Sequence, residues 1–141
     1  MSRRIVTLAA VLLVLLATAS PVLAKKHQNE EGAWTLRVTP DSSAAAQGEK
    51  AYEDTLVLQQ GFLKSKYNTD QHAFGTGPYT AHGNEITAQI KSNYEGKMDW
   101  SGMWTEDSIA GRLTWTQRDG TVVTFTFSGT RAPVEKAKKH R

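Results

Sequence analysis

The sequence predicts an all-β fold, a single antiparallel up-and-down meander of about eight strands that closes into a small barrel. Three observations predict it. The stretches Met98–Trp104, Ile109–Trp115 and Val123–Phe127 alternate apolar or small residues with mostly polar ones. Period two over three consecutive runs marks antiparallel strands with one buried face. The runs are separated by short turn-forming stretches, and no long helical period interrupts them. Eight strands are roughly what a barrel needs to be packed by its own side chains or to enclose one small ligand.

The meander starts at Gly32-Ala-Trp34, with Trp34, Leu36 and Val38 on one face of a strand over 33–39. Residues 40–52 make a long connection, with a helical turn near Ala44–Gln47. Further strands are expected at 54–59, 62–67, 76–82, 85–92, 97–104, 109–117 and 121–129. Residues opposite each other in an antiparallel pair share a face, so loop lengths can be tested by parity. A two-residue loop at Gln60-Gly61 sets Leu58 against Leu63 and Leu56 against Ser65. Gly83-Asn84 suits a primed turn and sets Ala81 against Ile86 and Tyr79 against Ala88. A four-residue loop at 105–108 pairs Trp104 with Ile109 and Trp100 with Leu113. At the last hairpin a two-residue loop would set polar Thr116 against buried Val123. Three residues, Arg118-Asp-Gly120, restore the match, with Gly120 in the left-handed position. The turns at 60–61, 83–84 and 105–108 thus form a tight base. The connections 40–52, 68–75, 93–97 and 118–120 form a looser mouth.

Outside the barrel region 32–131 the chain reads differently. Arg3, Arg4, the apolar run Val6–Ala17 and the small-residue site Val22-Leu-Ala24 make residues 1–24 a secretory signal peptide, cut near Ala24. The apolar core is too short to span a membrane comfortably. The expected address is periplasmic or secreted and soluble. Residues 25–31 are polar and expected to be flexible, and 132–141 form a basic, disordered tail. The net charge is +3; removing Arg3 and Arg4 leaves +1 for residues 25–141. The segment Arg131–Arg141, with five basic residues and Glu135, carries +4, so residues 25–130 carry −3. The basic character therefore belongs to the tail and not to a binding face. A glycine-rich phosphate loop and a stacking platform with interleaved basic residues are both missing, which argues against nucleic acid. The chain has no cysteine, so disulfides, thiol chemistry and cysteine metal sites are excluded.

The chain resembles lipocalins in a few residues. Gly32-Ala33-Trp34 is similar to the Gly-x-Trp that opens the lipocalin barrel. Arg131 stands where lipocalins carry an arginine over that tryptophan. Avidins, of the same calycin-type group, share the strand count, and small secreted bacterial barrels share the general pattern. The chain lacks a clear Thr-Asp-Tyr motif and a C-terminal helix. The resemblance implies the architecture and, with it, small-ligand binding in the barrel.

By parity, Trp34, Trp104 and Phe127 form a packed structural base, with Arg131 over Trp34. Ser65, Tyr67, Tyr79, Met98, Trp100 and Trp115 fall inward at mid-depth or above, and Ser65 and Gly77 are small. Small residues among large aromatics either leave a void for an apolar ligand or interlock to fill the barrel. The two functional expectations follow: a binder of a small apolar ligand in the upper barrel, or a filled interaction barrel with no ligand. No inward charge is expected there, so any charged head group would sit near Lys50, Lys97 or Arg118. His72 belongs to the mouth and His82 to a base turn, too far apart to share a metal. With no nucleophile motif and no convergent carboxylates, no catalytic residue, metal or cofactor is expected, and the protein is expected to be a monomer.

Overall fold

In the computed structural model, which describes residues 29–133, eight antiparallel strands close into one barrel in the order of the chain. The signal peptide expected at 1–24 and the tail from 134 onward lie outside the described residues. The elements are β1 (Gly32–Pro40), α1 (Ser42–Ala46), β2 (Tyr52–Gln59), β3 (Phe62–Ser65), α2 (Lys66–His72), β4 (Gly77–His82), β5 (Glu85–Ser92), β6 (Gly96–Trp104), β7 (Ser108–Thr116) and β8 (Val122–Arg131).

The register follows the hydrophobic pattern at every hairpin. Leu58 faces Leu63, Tyr79 faces Ala88, Trp100 faces Leu113, and Trp115 faces Val123. A slip of one residue would turn each inward set out to water, which is why parity is so strongly specified. The last hairpin uses three loop residues, with Gln117 N–H donating to Thr121 O at 2.8 Å and Gly120 at φ +89°. Closure comes from β1 on β8, where Trp34 stands opposite Arg131 and Val38 opposite Phe127. The inward side chains form one core running from Trp34 and Leu58 at the base to Met98 and Val123 near the mouth, all buried.

One expectation is corrected. The strand expected over 62–67 stops at Ser65, and the chain turns into α2. Ser65 caps this helix, its hydroxyl accepting from Asn68 N–H. The Asp54 carboxylate accepts from Tyr67 N–H, so the backbone donors at the helix start are met inside the barrel wall. As a result β3 pairs with β4 over only Phe62–Pro78 and Leu63–Gly77, and α2 packs against β2 and β3. Of the segment 25–31, expected to be flexible, residues 25–28 lie outside the described residues. Glu30 O accepts from Trp34 Nε1 at 3.1 Å, and Asn29 O and Glu31 O accept from Arg131.

Candidate functional site

The mouth is organised by one carboxylate. Asp54 lies on the same inward parity as Leu56 and Leu58, so β2 carries it into the barrel, where it is buried. That overturns the expectation of no inward charge. The position is tolerated because donors converge on it: Ser65 Oγ at 2.5 Å and Tyr67 N–H at 2.8 Å. Burial pushes the Asp54 carboxyl above its usual range, against the pull of those donors. The chain of bonds continues outward. Asn68 Nδ2 donates to Ser65 Oγ at 2.9 Å and to the Tyr52 hydroxyl at 3.1 Å.

Above this network lies a cavity of about 240 Å³. Met98, Trp115 and Phe125 supply its apolar walls, while Tyr52, Tyr67, Asn68, His72 and the rim residues 48–51 supply polar ones. Tyr52 stacks on Tyr67 with centroids 3.9 Å apart and meets Phe125 edge-on at 6.0 Å. The His72 ring lies 5.2 Å from Trp115. Trp115 Nε1 donates to Glu95 O at 2.6 Å, which locks the indole orientation. The cavity is therefore walled by aromatic side chains whose positions are set by stacking and hydrogen bonds. A second depression, about 260 Å³, lies between α2 and the outer faces of β1 and β2, lined by groups such as Thr35, Glu53 and Asp70. It is more open to solvent, and Tyr67 is the one aromatic residue that lines it.

Of the six expected ligand residues, Tyr67, Met98 and Trp115 line the mouth cavity. Ser65 is fully buried behind it, spent on Asp54 and Asn68, and leaves no room. Trp100 belongs to the filled core, its ring 5.2 Å from Phe127. Tyr79 is turned toward the base, where its hydroxyl donates to Glu30 Oε1 at 3.0 Å. Nor does Gly77 leave a void. Its missing side chain is taken up by close approach of β5, and a methyl group there would overlap the Gln89 carbonyl. At the base the Arg131 guanidinium lies 4.3 Å from the Trp34 ring centroid, and Trp104 and Phe127 are buried. Arg131 also donates to the carbonyls of Glu106, Glu31 and Asn29.

Tyr52, Asn68, His72 and Phe125 were not among the residues that sequence reasoning assigned to the site. A signal for Tyr52 existed, since it shares the parity of Asp54, Leu56 and Leu58. No pattern could place Asn68 or His72, because both depend on α2. His82 is exposed at the opposite end of the barrel, on the strand end that pairs with Glu85. Among the described residues no group of three His, Asp or Glu side chains is placed to hold a metal, and no helix is long and apolar enough to cross a membrane. Comparisons with protein-family models, with curated proteins and with solved structures gave no match for this chain.

Proposed function

We propose that this protein binds a small aromatic molecule in the mouth cavity and acts as a non-enzymatic carrier or sequestering protein. The observation that carries the reading is the pairing of an apolar wall, Met98, Trp115 and Phe125, with polar groups from Tyr52, Tyr67, Asn68 and His72 around one cavity. Ligand sites commonly combine mostly apolar walls with a few placed polar groups. Size narrows the class. A dry cavity of about 150 Å³ accommodates benzene, so about 240 Å³ suits a single substituted ring or a compact fused pair. A long acyl chain has nowhere to go, since Trp100, Ile90 and Leu113 fill the barrel below. The likeness to lipocalins and avidins supports ligand binding in the barrel, and the leader expected at 1–24 would place it in the periplasm or outside the cell.

A second reading, a filled interaction barrel, draws on Tyr94 and Val122. Both are well exposed, in the turn after β5 and at the start of β8, where the mouth loops would meet a partner. Tryptophan emission separates the two. Single-ring aromatics should shift it and long-chain saturated fatty acids should not, and Trp115→Ala should weaken the aromatic series. If no aromatic compound moves the emission, the carrier reading fails and the interaction barrel is the better account.

A further inference from the structure

The hydrogen bonds beneath the mouth cavity have a fixed direction. Two of their donors are backbone amides and leave no choice: Tyr67 N–H donates to Asp54, and Asn68 N–H donates to Ser65 Oγ. Ser65 has one proton and two lone pairs. Asp54, as a carboxylate, can only accept, so the Ser65 proton goes to Asp54 Oδ2. The second lone pair of Ser65 Oγ then takes a proton from Asn68, which sets the amide with Nδ2 toward Ser65. That same nitrogen lies 3.1 Å from the Tyr52 oxygen and donates its other proton to it. Tyr52 is thus already an acceptor, and its own proton remains to be given away. Among the described residues no acceptor takes it. Burial also raises the Tyr52 pKa, keeping the phenol in its protonated, donating form.

Tyr52 stands in the wall of the cavity, beside Tyr67 and across from Trp115 and Met98. On the rim, Lys50 can only donate, and Glu49 beside it supplies a carboxyl group. We infer that Tyr52 is the specificity-determining residue of this site, and that the ligands it selects are aromatic compounds bearing a carbonyl-type hydrogen-bond acceptor. The inference rests on the mouth cavity being a binding site, as proposed above. A ligand offering only a donor would leave the Tyr52 proton unmatched, and an unmatched buried donor is the costly outcome.

Acetophenone and α-methylstyrene test it, since they differ by C=O against C=CH2 at nearly constant shape. The full chain should bind acetophenone about two- to twelvefold more tightly, the range of one net hydrogen bond. Tyr52→Phe should abolish that preference, bringing the ratio of the two affinities to about one; a preference that persists in the variant overturns the inference. Equal affinity for the two probes in the unaltered chain would overturn the inference and leave the cavity reading standing. Binding of neither would overturn both. The infrared carbonyl band of acetophenone bound to the unaltered chain needs no variant. It should lie below its position in hexane, and a band at the hexane position overturns the donor role.

Discussion

Trp34 shows how much one side chain can hold. Its ring is fully buried at the base, its Nε1 donates to Glu30 O, and Arg131 covers it at 4.3 Å. Trp34→Ala should destabilise the fold by about 3–5 kcal/mol in urea denaturation, as for other buried aromatics. A loss under about 1 kcal/mol would show that the base is not packed as described. Asp54 poses the opposite case, a charge held inside. Burial raises its pKa in the folded state above the unfolded value of about 3.9. The folded chain therefore holds that proton more tightly than the unfolded chain. The stability this contributes is fully present below about pH 3.9 and is lost as pH rises through the raised value. Asp54→Asn cannot titrate, so the stability of the native chain relative to this variant should fall as pH rises from about 3.9 through the raised folded-state value. Parallel pH profiles for the two would remove Asp54 from the account.

At the scale of elements, the short seam is β3 on β4, and the segment that follows β3 is tied to the strands around it. Only two residue pairs register there, while Phe74, just after α2, is buried in the core. Gly75 N–H donates to Lys91 O and Ser92 Oγ donates to His72 O, so the segment around α2 is tied to β5 as well. Ser65→Ala removes the cap of α2 and one donor to Asp54 together. The cap alone is worth about 0.5–2 kcal/mol. Amide hydrogen exchange over 66–72 should accelerate well beyond that of β6 and β7 in the same variant; uniform acceleration would mean that α2 is not a separable unit. Gly77→Ala should cost about 1–3 kcal/mol, because β5 already occupies the space of a side chain at that position. A neutral effect on the denaturation midpoint would show that the seam can spread.

At the scale of the whole molecule, closure joins β1 to β8 across nearly the full length of the described chain. Such non-local pairing makes folding slow, so refolding followed by tryptophan emission should take about milliseconds to seconds. Complete recovery on the microsecond scale would be incompatible with this topology. The eight strands, their register and the base were legible in the sequence, because period-two burial and loop-length parity are local constraints that each hairpin must satisfy. Leu58 against Leu63 and Trp115 against Val123 needed nothing beyond counting. The candidate site was legible only in part. Tyr67, Met98 and Trp115 were found by parity, whereas Trp100 and Tyr79 share their parity but lead into the core and toward the base. Parity says which side of the wall a residue faces, not how far along the barrel its side chain reaches. The sequence by itself determined a barrel with a tight base and a looser mouth. Only the tertiary structure decided that α2 interrupts the wall, that Asp54 is buried beneath it, and that the remaining space is a small aromatic-walled cavity at the mouth. The physical reason is that Ser65, Asn68 and Tyr52 satisfy one another across segments with no shared period, so their arrangement exists only after the chain has closed.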